Sequence, residues 1–231
     1  MQNNTIVPKS VLVVVAHPDD MEFTCGGTVA KWADAGSQVH LVLATSGDKG
    51  TKDRDMSPHA MSDIREREQR SAADVLGIAD VTFLRHRDGE LEVTMAFRNQ
   101  ISALIRKFEP DALVTHDPWR SYQVHPDHRA IGTVSIDAIV AARDHLYVPE
   151  QLVAGLEPHH TSHVFLFSTD APDHLEDISD YMDRKLTSLG CHASQLGHLP
   201  NWQDRVIQWA ELTGERIGVR YAEAFKHIEL L

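Results

Sequence analysis

Val11-Leu12-Val13-Val14-Val15 runs directly into Ala16-His17-Pro18-Asp19-Asp20. Five consecutive β-favouring apolar residues predict a strand buried on both faces, the kind found in the middle of a parallel sheet. Such a strand should end in a turn residue or a helix cap. This one ends in an imidazole and two carboxylates, which are costly to bury without protons, partners or a metal. In open α/β sheets ligands gather at the carboxyl ends of the strands, so this corner is the first candidate seat of chemistry.

Working outward, a helix is expected to begin at Pro18 or Asp19, since Pro suits the first helical position and acidic residues suit the first turn. It continues through Val29, Ala30 and Trp32 to a Gly36 cap, with Gly26-Gly27 allowing close approach to a strand or ligand. Gln38 to Ala44 then alternates into a second strand, and strand-helix-strand in this span is a βαβ unit with a parallel pair. The loop Thr45-Ser46-Gly47-Asp48-Lys49-Gly50-Thr51 follows, readable either as a flexible polar loop or as a substrate contact.

Further along, Met61 to Leu76 reads as an amphipathic helix stopped by Gly77. Most of its Arg65, Glu66, Arg67, Glu68 and Arg70 are expected on a solvated charged face. Asp80 to Leu84, Ala112 to Thr115 and His163 to Ser168 predict further strands, and Met95 to Phe108 a helix closed by Pro110. A helix is also expected from the region of His128 to about His145, with others at Ile178 to His192 and Trp202 to Leu212. Ala222 to Leu230 fits either a final helix or an edge strand. The alternation predicts an α/β, Rossmann-like, mostly parallel sheet with helices on both faces. The 231 residues are expected to form a single domain, with a core over about 10–170 and a helical elaboration over about 171–231.

The net charge of −12 argues against a nucleic-acid footprint. The first ten residues lack a basic leader region, and the apolar run after them is too short for a signal peptide or a membrane span. Two cysteines imply no disulfide framework, which makes a reducing cytoplasm the default location. The unusual count is 15 histidines, a pointer to metal or acid–base work.

A second corner, His125-Pro126-Asp127-His128, has the same design as the first. Residues three apart on a helical turn share a face, so His17 with Asp20, and His125 with His128, can converge. Two imidazoles and a carboxylate make a three-ligand set for catalytic Zn²⁺, and Fe²⁺ or Co²⁺ would accept the same donors. The convergent groups exceed three, which leaves some for chemistry. Asp19 can serve as a base toward a metal-activated water, and His125, if not a ligand, can donate to a developing oxyanion. This assembly suggests amide or ester hydrolysis. Cys25, beside two glycines and without a base, reads as a packed thiol rather than a nucleophile.

With these residues in view the chain resembles the LmbE-like, or PIG-L-like, zinc-dependent N-deacetylases. Ala16-His17-Pro18-Asp19-Asp20 with Gly26-Gly27 is similar to the family's opening motif, and His125-Pro126-Asp127-His128 to its second. Thr45-Ser46-Gly47, then Arg65 with Glu68, Ala72 and Leu76-Gly77, and Asp88-Gly89-Glu90-Leu91 resemble intermediate signatures. Lys185, His192, Ser194, Gln195 and Glu223-Ala224-Phe225 resemble the C-terminal pattern.

The resemblance implies zinc held by His17, Asp20 and His128, Asp19 as general base, and His125 stabilising the oxyanion and protonating the amine. It also raises Arg65 as an orienter of the active-site carboxylates or of substrate. One departure is that some relatives carry a catalytic Tyr where this chain has Gln123, with Tyr122 one residue earlier. The implied substrate is a small N-acetylated sugar or conjugate of the N-acetylglucosamine type, and the implied assembly is self-associating. Substrate contacts are sought in Arg65, Asp88, Arg120 and Tyr122, with Asp48, Lys49 and Trp119 as further loop positions. The alternative is a hydratase or lyase of a small unsaturated acid on the same fold, clamped by Arg65, Arg85, Arg87 and Arg120, or an amidase of a sugar–thiol conjugate.

Overall fold

The computed structural model describes residues 6–231. The expectation that no targeting signal opens the chain falls partly on residues 1–5, which lie outside the described residues. The elements run β1 (Ser10–Val15), α1 (Asp20–Asp34), β2 (Gln38–Thr45), α2 (Pro58–Leu76), β3 (Asp80–His86), α3 (Met95–Phe108) and β4 (Ala112–His116). They continue with α4 (Pro126–Arg143), α5 (Pro149–Val153), β5 (His163–Phe167), β6 (His174–Asp177), α6 (Met182–Gly190), α7 (Ala193–Leu196), α8 (Trp202–Glu215) and β7 (Ala222–Glu229).

Seven strands form one sheet in the order β3-β2-β1-β4-β5-β7-β6. The first five are mutually parallel, as right-handed βαβ crossovers require. β1 is central, and Val11 to Ala16 are wholly buried, because both faces of this strand carry helices. Leu12, Val14 and Ala16 pack with Ile101 and Ile105 of α3 and Ile131 and Val134 of α4. Val11, Val13 and Val15 pack with Met21, Val29 and Trp32 of α1. Each buried aliphatic side chain is worth about 1.5–3 kcal/mol, so this strand anchors the core.

The C-terminal segment differs from expectation in two respects. Ala222–Glu229 is neither helix nor edge strand: it is an inner strand, antiparallel to β5 on one side and to β6 on the other. Phe225 sets this position, packing edge-to-face on Phe165 at 5.8 Å between ring centroids. The true edge is β6, whose His174-Leu175-Glu176-Asp177 is too short and polar to carry a strand pattern. A third apolar cluster of Ile178, Met182, Leu189, Val206, Ala210 and Tyr221 ties α6 and α8 together. No helix among the described residues is long and apolar enough to cross a membrane.

Candidate metal centre

The strand order reverses between β1 and β4, and the crevice there lies at their carboxyl ends, the usual ligand position in such sheets. Both His-Pro-Asp corners open on it. After β1 the chain does not enter the helix at once. Asp19 takes a left-handed backbone, φ 87°, and only Asp20 begins α1. The turn aims Asp20 back at its own corner, where its Oδ2 accepts from the His17 N–H at 2.8 Å. At the second corner Pro126 opens α4 and places His128 in its first turn.

Two imidazole nitrogens and both oxygens of one carboxylate meet there. Asp20 lies 3.4 Å from His17 Nδ1 through Oδ2 and 3.1 Å from His128 Nε2 through Oδ1, and His128 Nε2 lies 3.3 Å from His17 Nδ1. A tetrahedral ion with bonds of about 2.0–2.1 Å has ligands about 3.3 Å apart, so the spacing fits. The triplets His17–His125–His128, Asp20–His116–His128 and His17–Asp88–Asp127 also bring one ligand-type atom per residue within 4.8 Å of one another. The cluster can therefore hold a metal ion.

Two residues outside the expected set build its surround. His116, the last residue of β4, approaches Asp20 Oδ2 through Nε2 at 3.3 Å and stacks on His128 at 4.1 Å. Asp127, fully buried, approaches His17 Nε2 at 3.1 Å and accepts from the Gly89 and Leu91 N–H groups at 2.7 and 3.1 Å. Asp88 Oδ1 is also 3.1 Å from His17 Nε2. Burial pulls the His17 pKa down, but Asp127, Asp20 and Asp88 outweigh it and push it up to about 12. Burial would raise Asp20, yet His128 and His116 hold it well below the usual carboxylate range. So many acceptors around one point need a cation or a proton. His125 is depressed by burial and by the neighbouring His17 and His128.

Asp19 stands beside this cluster. Burial raises it to about 6 against the opposing Arg65 guanidinium. Arg65 Nη2 donates to Asp19 Oδ2 at 3.1 Å and to Pro18 O at 2.6 Å, and Nη1 to Gly47 O at 3.2 Å. Gly47, at φ 65°, lies so close to Arg65 that a Cβ there would collide with the guanidinium. Gln69 Oε1 accepts the Asp19 N–H at 3.1 Å, and its Nε2 donates to Glu22 Oε1. Glu22 in turn faces His192 Nε2 at 3.6 Å, and Gln69, Glu22 and His192 are all fully buried. Burial would lower His192, but Glu22 keeps it above its ordinary value.

Not every expected substrate contact reaches this point. Arg65 and Asp88 are buried behind Asp19 and His17. Asp48 Oδ1 accepts from the Asp88 N–H at 2.9 Å, and Lys49 pairs with Glu90. A cavity of about 870 Å³ opens beside Asp20, His116 and His128, and Arg120 and Gln123 line it. Tyr122, 98% exposed, is not in that lining, nor is Trp119. Cys25 is buried, which pushes its thiol up and fits packing rather than nucleophilic use.

A parallel sheet whose switch point carries a histidine–carboxylate cluster beside an arginine-held carboxylate defines a class, the α/β proteins with a metal-ready centre. Comparison with known proteins narrows it. The family model described as "PIG-L: GlcNAc-PI de-N-acetylase" matches residues 12–139. The chain is 35% identical over 222 residues to diacetylchitobiose deacetylase of Thermococcus kodakarensis, covering 95% of this chain and 83% of that one. It is 26% identical to the 4-oxalmesaconate hydratase of Pseudomonas putida, covering 99% and 90%. The solved N,N'-diacetylchitobiose deacetylase of Pyrococcus horikoshii, bound to an inhibitor, superposes with a TM-score of 0.94 at 34% identity, covering 99% and 86%. The chain belongs to the PIG-L family.

Proposed function

We propose that this protein is a metal-dependent N-deacetylase, removing the acetyl group from the amide nitrogen of an N-acetylglucosamine-type sugar or conjugate. The observation that carries this reading is the meeting of His17 Nδ1, the Asp20 carboxylate and His128 Nε2 at 3.1–3.4 Å beside the separately held Asp19. Zn²⁺ suits two imidazoles and a carboxylate, and Fe²⁺ or Co²⁺ would accept them. When bound, such an ion supplies Lewis acidity, polarising a carbonyl and lowering the pKa of water.

The chain's own groups divide the remaining work. Asp19 is the base, and a pKa near 6 leaves it ionised at neutral pH yet able to take a proton. Arg65 occupies its Oδ2 and fixes its direction. The proton Asp19 removes from water is the one the departing amine requires. His125 Nδ1 accepts from the Asp127 N–H at 3.3 Å, which assigns the proton of the neutral ring to Nε2. That N–H is a donor for the oxyanion. Arg120, on the cavity wall, is the substrate contact, while Arg65 and Asp88 act by positioning Asp19 and His17.

The hydratase alternative needs several arginines free to clamp carboxylates. Arg65 is committed to Asp19 and Arg85 to Glu66, and Arg120 is the one arginine lining the cavity. A cytoplasmic, self-associating, single-domain enzyme with a small-molecule substrate completes the reading, and the net charge of −12 argues against a nucleic-acid partner.

The test is acetate release from a panel of N-acetylglucosaminides by the metal-loaded protein. Asp19→Asn should lower kcat by about 10²–10⁴-fold while one metal per chain is retained. A loaded protein that releases no acetate, or a variant with full activity, overturns the reading.

A further inference from the structure

The 15 histidines exceed what the catalytic cluster uses, and some of the rest gather at the opposite end of the sheet. His163 is the first residue of β5. It lies at the amino end of the parallel strands, whereas His17 and His116 stand at the carboxyl ends of β1 and β4. β7 runs antiparallel beside β5, in a register that sets Glu229 directly opposite His163 and His227 opposite Phe165. Side chains two apart on a strand share a face, so His163, His227 and Glu229 stand together on one face of this strand pair.

His163 Nδ1 lies 3.1 Å from His227 Nε2, and the ring centroids are 5.2 Å apart. Two imidazoles sharing a tetrahedral ion through bonds of about 2.0–2.1 Å would have nitrogens about 3.3 Å and centroids about 5.2 Å apart. The His227 ring is held in place by stacking on Phe165 at 4.7 Å. Burial, then His163 and His174, hold its pKa below the ordinary value against Asp173 and Glu229. Near neutral pH the ring therefore offers a lone pair, as a metal ligand must. Both imidazoles are half-buried, so an ion reaches them from solvent.

The neighbouring groups decide the third ligand. His174 gives its Nε2 to Glu176 at 3.0 Å. Asp173 is taken by Lys226 and by the His227 backbone N–H. Glu229 is exposed, and a direct cross-strand neighbour has its Cβ about 4.5–5.5 Å away, within reach of a carboxylate on a flexible stem.

We propose that His163, His227 and Glu229 form a second metal site, for a borderline divalent ion such as Zn²⁺, which clips β7 to β5 at the end of the sheet remote from the catalytic cluster. Imidazole and carboxylate are the donors such an ion takes, with water completing its shell. Without the ion, one ring donates its N–H to the other. With it, both facing nitrogens bind through lone pairs, and the donating ring carries its proton on its other nitrogen. The clip is independent of the deacetylase reading.

Equilibrium dialysis against buffered Zn²⁺ near pH 7.5, with metal counted by mass spectrometry, should find two ions per wild-type chain. His163→Gln and His227→Gln should each keep one, as should Asp20→Ala, which disables the catalytic cluster instead. Glu229→Gln, a change at an exposed position, should bind the second ion more weakly but still reach two at saturation. The second equivalent should raise the melting temperature of the wild type and leave that of His227→Gln unchanged. One ion per wild-type chain, or a second ion that survives both histidine substitutions, overturns the site. A melting temperature that ignores the second equivalent overturns the clip.

Discussion

His17 is engaged through both ring nitrogens. Nδ1 faces Asp20 and His128, and Nε2 faces Asp127 and Asp88. With its pKa raised to about 12, the metal-free protein keeps this ring protonated throughout the neutral range. An incoming ion must displace that proton, so rising pH favours the metal. Metal uptake at pH 7.5 should release about one proton per ion, read by calorimetry in buffers of different ionisation enthalpy. Affinity should rise about tenfold per pH unit. Uptake without proton release, or affinity falling with pH, would contradict this. At this scale the sequence was legible where the chain is local: each His-Pro-Asp corner announces itself within four residues. The places of His116 and Asp127 depend on packing between β1, β4 and the Gly89 loop, and no local spacing encodes that.

Among the elements, α2 departs most from its sequence pattern. Its charges suggested a mostly solvated face, and Arg67 and Arg70 are indeed exposed. Arg65 and Glu66 are buried, and Glu68 accepts from the Ser194 N–H and hydroxyl. A helical charge pattern shows polarity but not whether the facing wall is polar too. Here the wall is the Asp19 turn, the Gly47 loop and the C-terminal helices. Arg65 and Gln69, four apart, share one face and grip the carboxylate and the amide of Asp19. A left-handed non-glycine residue persists only where its surroundings hold it, at a cost of order 1–3 kcal/mol. Gln69→Leu removes that hold and leaves a buried amide unpaired. It should destabilise the protein by about 1–3 kcal/mol in urea unfolding and lower kcat with little change in KM. Unchanged kcat would show that the Asp19 turn needs no such support.

For the whole molecule, the C-terminal segment is a structural partner of the site rather than an appendage. α1 breaks helical geometry at Cys25, φ −135°. The N–H groups of Gly27 and Thr28 just beyond are taken by Glu223 of β7 at 3.0 and 2.7 Å. Lys185 of α6 pairs with the same carboxylate, and both side chains are only 3% exposed. A Cβ at Gly27 would meet Ile178 at 2.7–3.0 Å, so the glycine is required by this contact. Glu223→Ala should cost about 3–5 kcal/mol, because it strands the Lys185 charge, and Glu223→Ala combined with Lys185→Met should recover part of the loss in thermal unfolding. No recovery would mean that the amide contacts, not the charge, dominate. The parallel half of the sheet was readable because each strand is apolar and each crossover helical. β6 and the inner place of β7 were not, since their pairing is fixed by side chains such as Phe165, distant in sequence.

One distance along the chain has a temporal meaning. His17 and His128 face each other across 111 residues of sequence. A ribosome that has released the first corner has made a ligand motif with no counterpart, while the emerging thread is still short of β4 and α4. Ion capture by the full set therefore waits until both have emerged and docked, after the slow long-range pairing of β1 with β4. A bound ion thus marks the docking of β1 against β4, with three strands of the sheet still to follow along the chain.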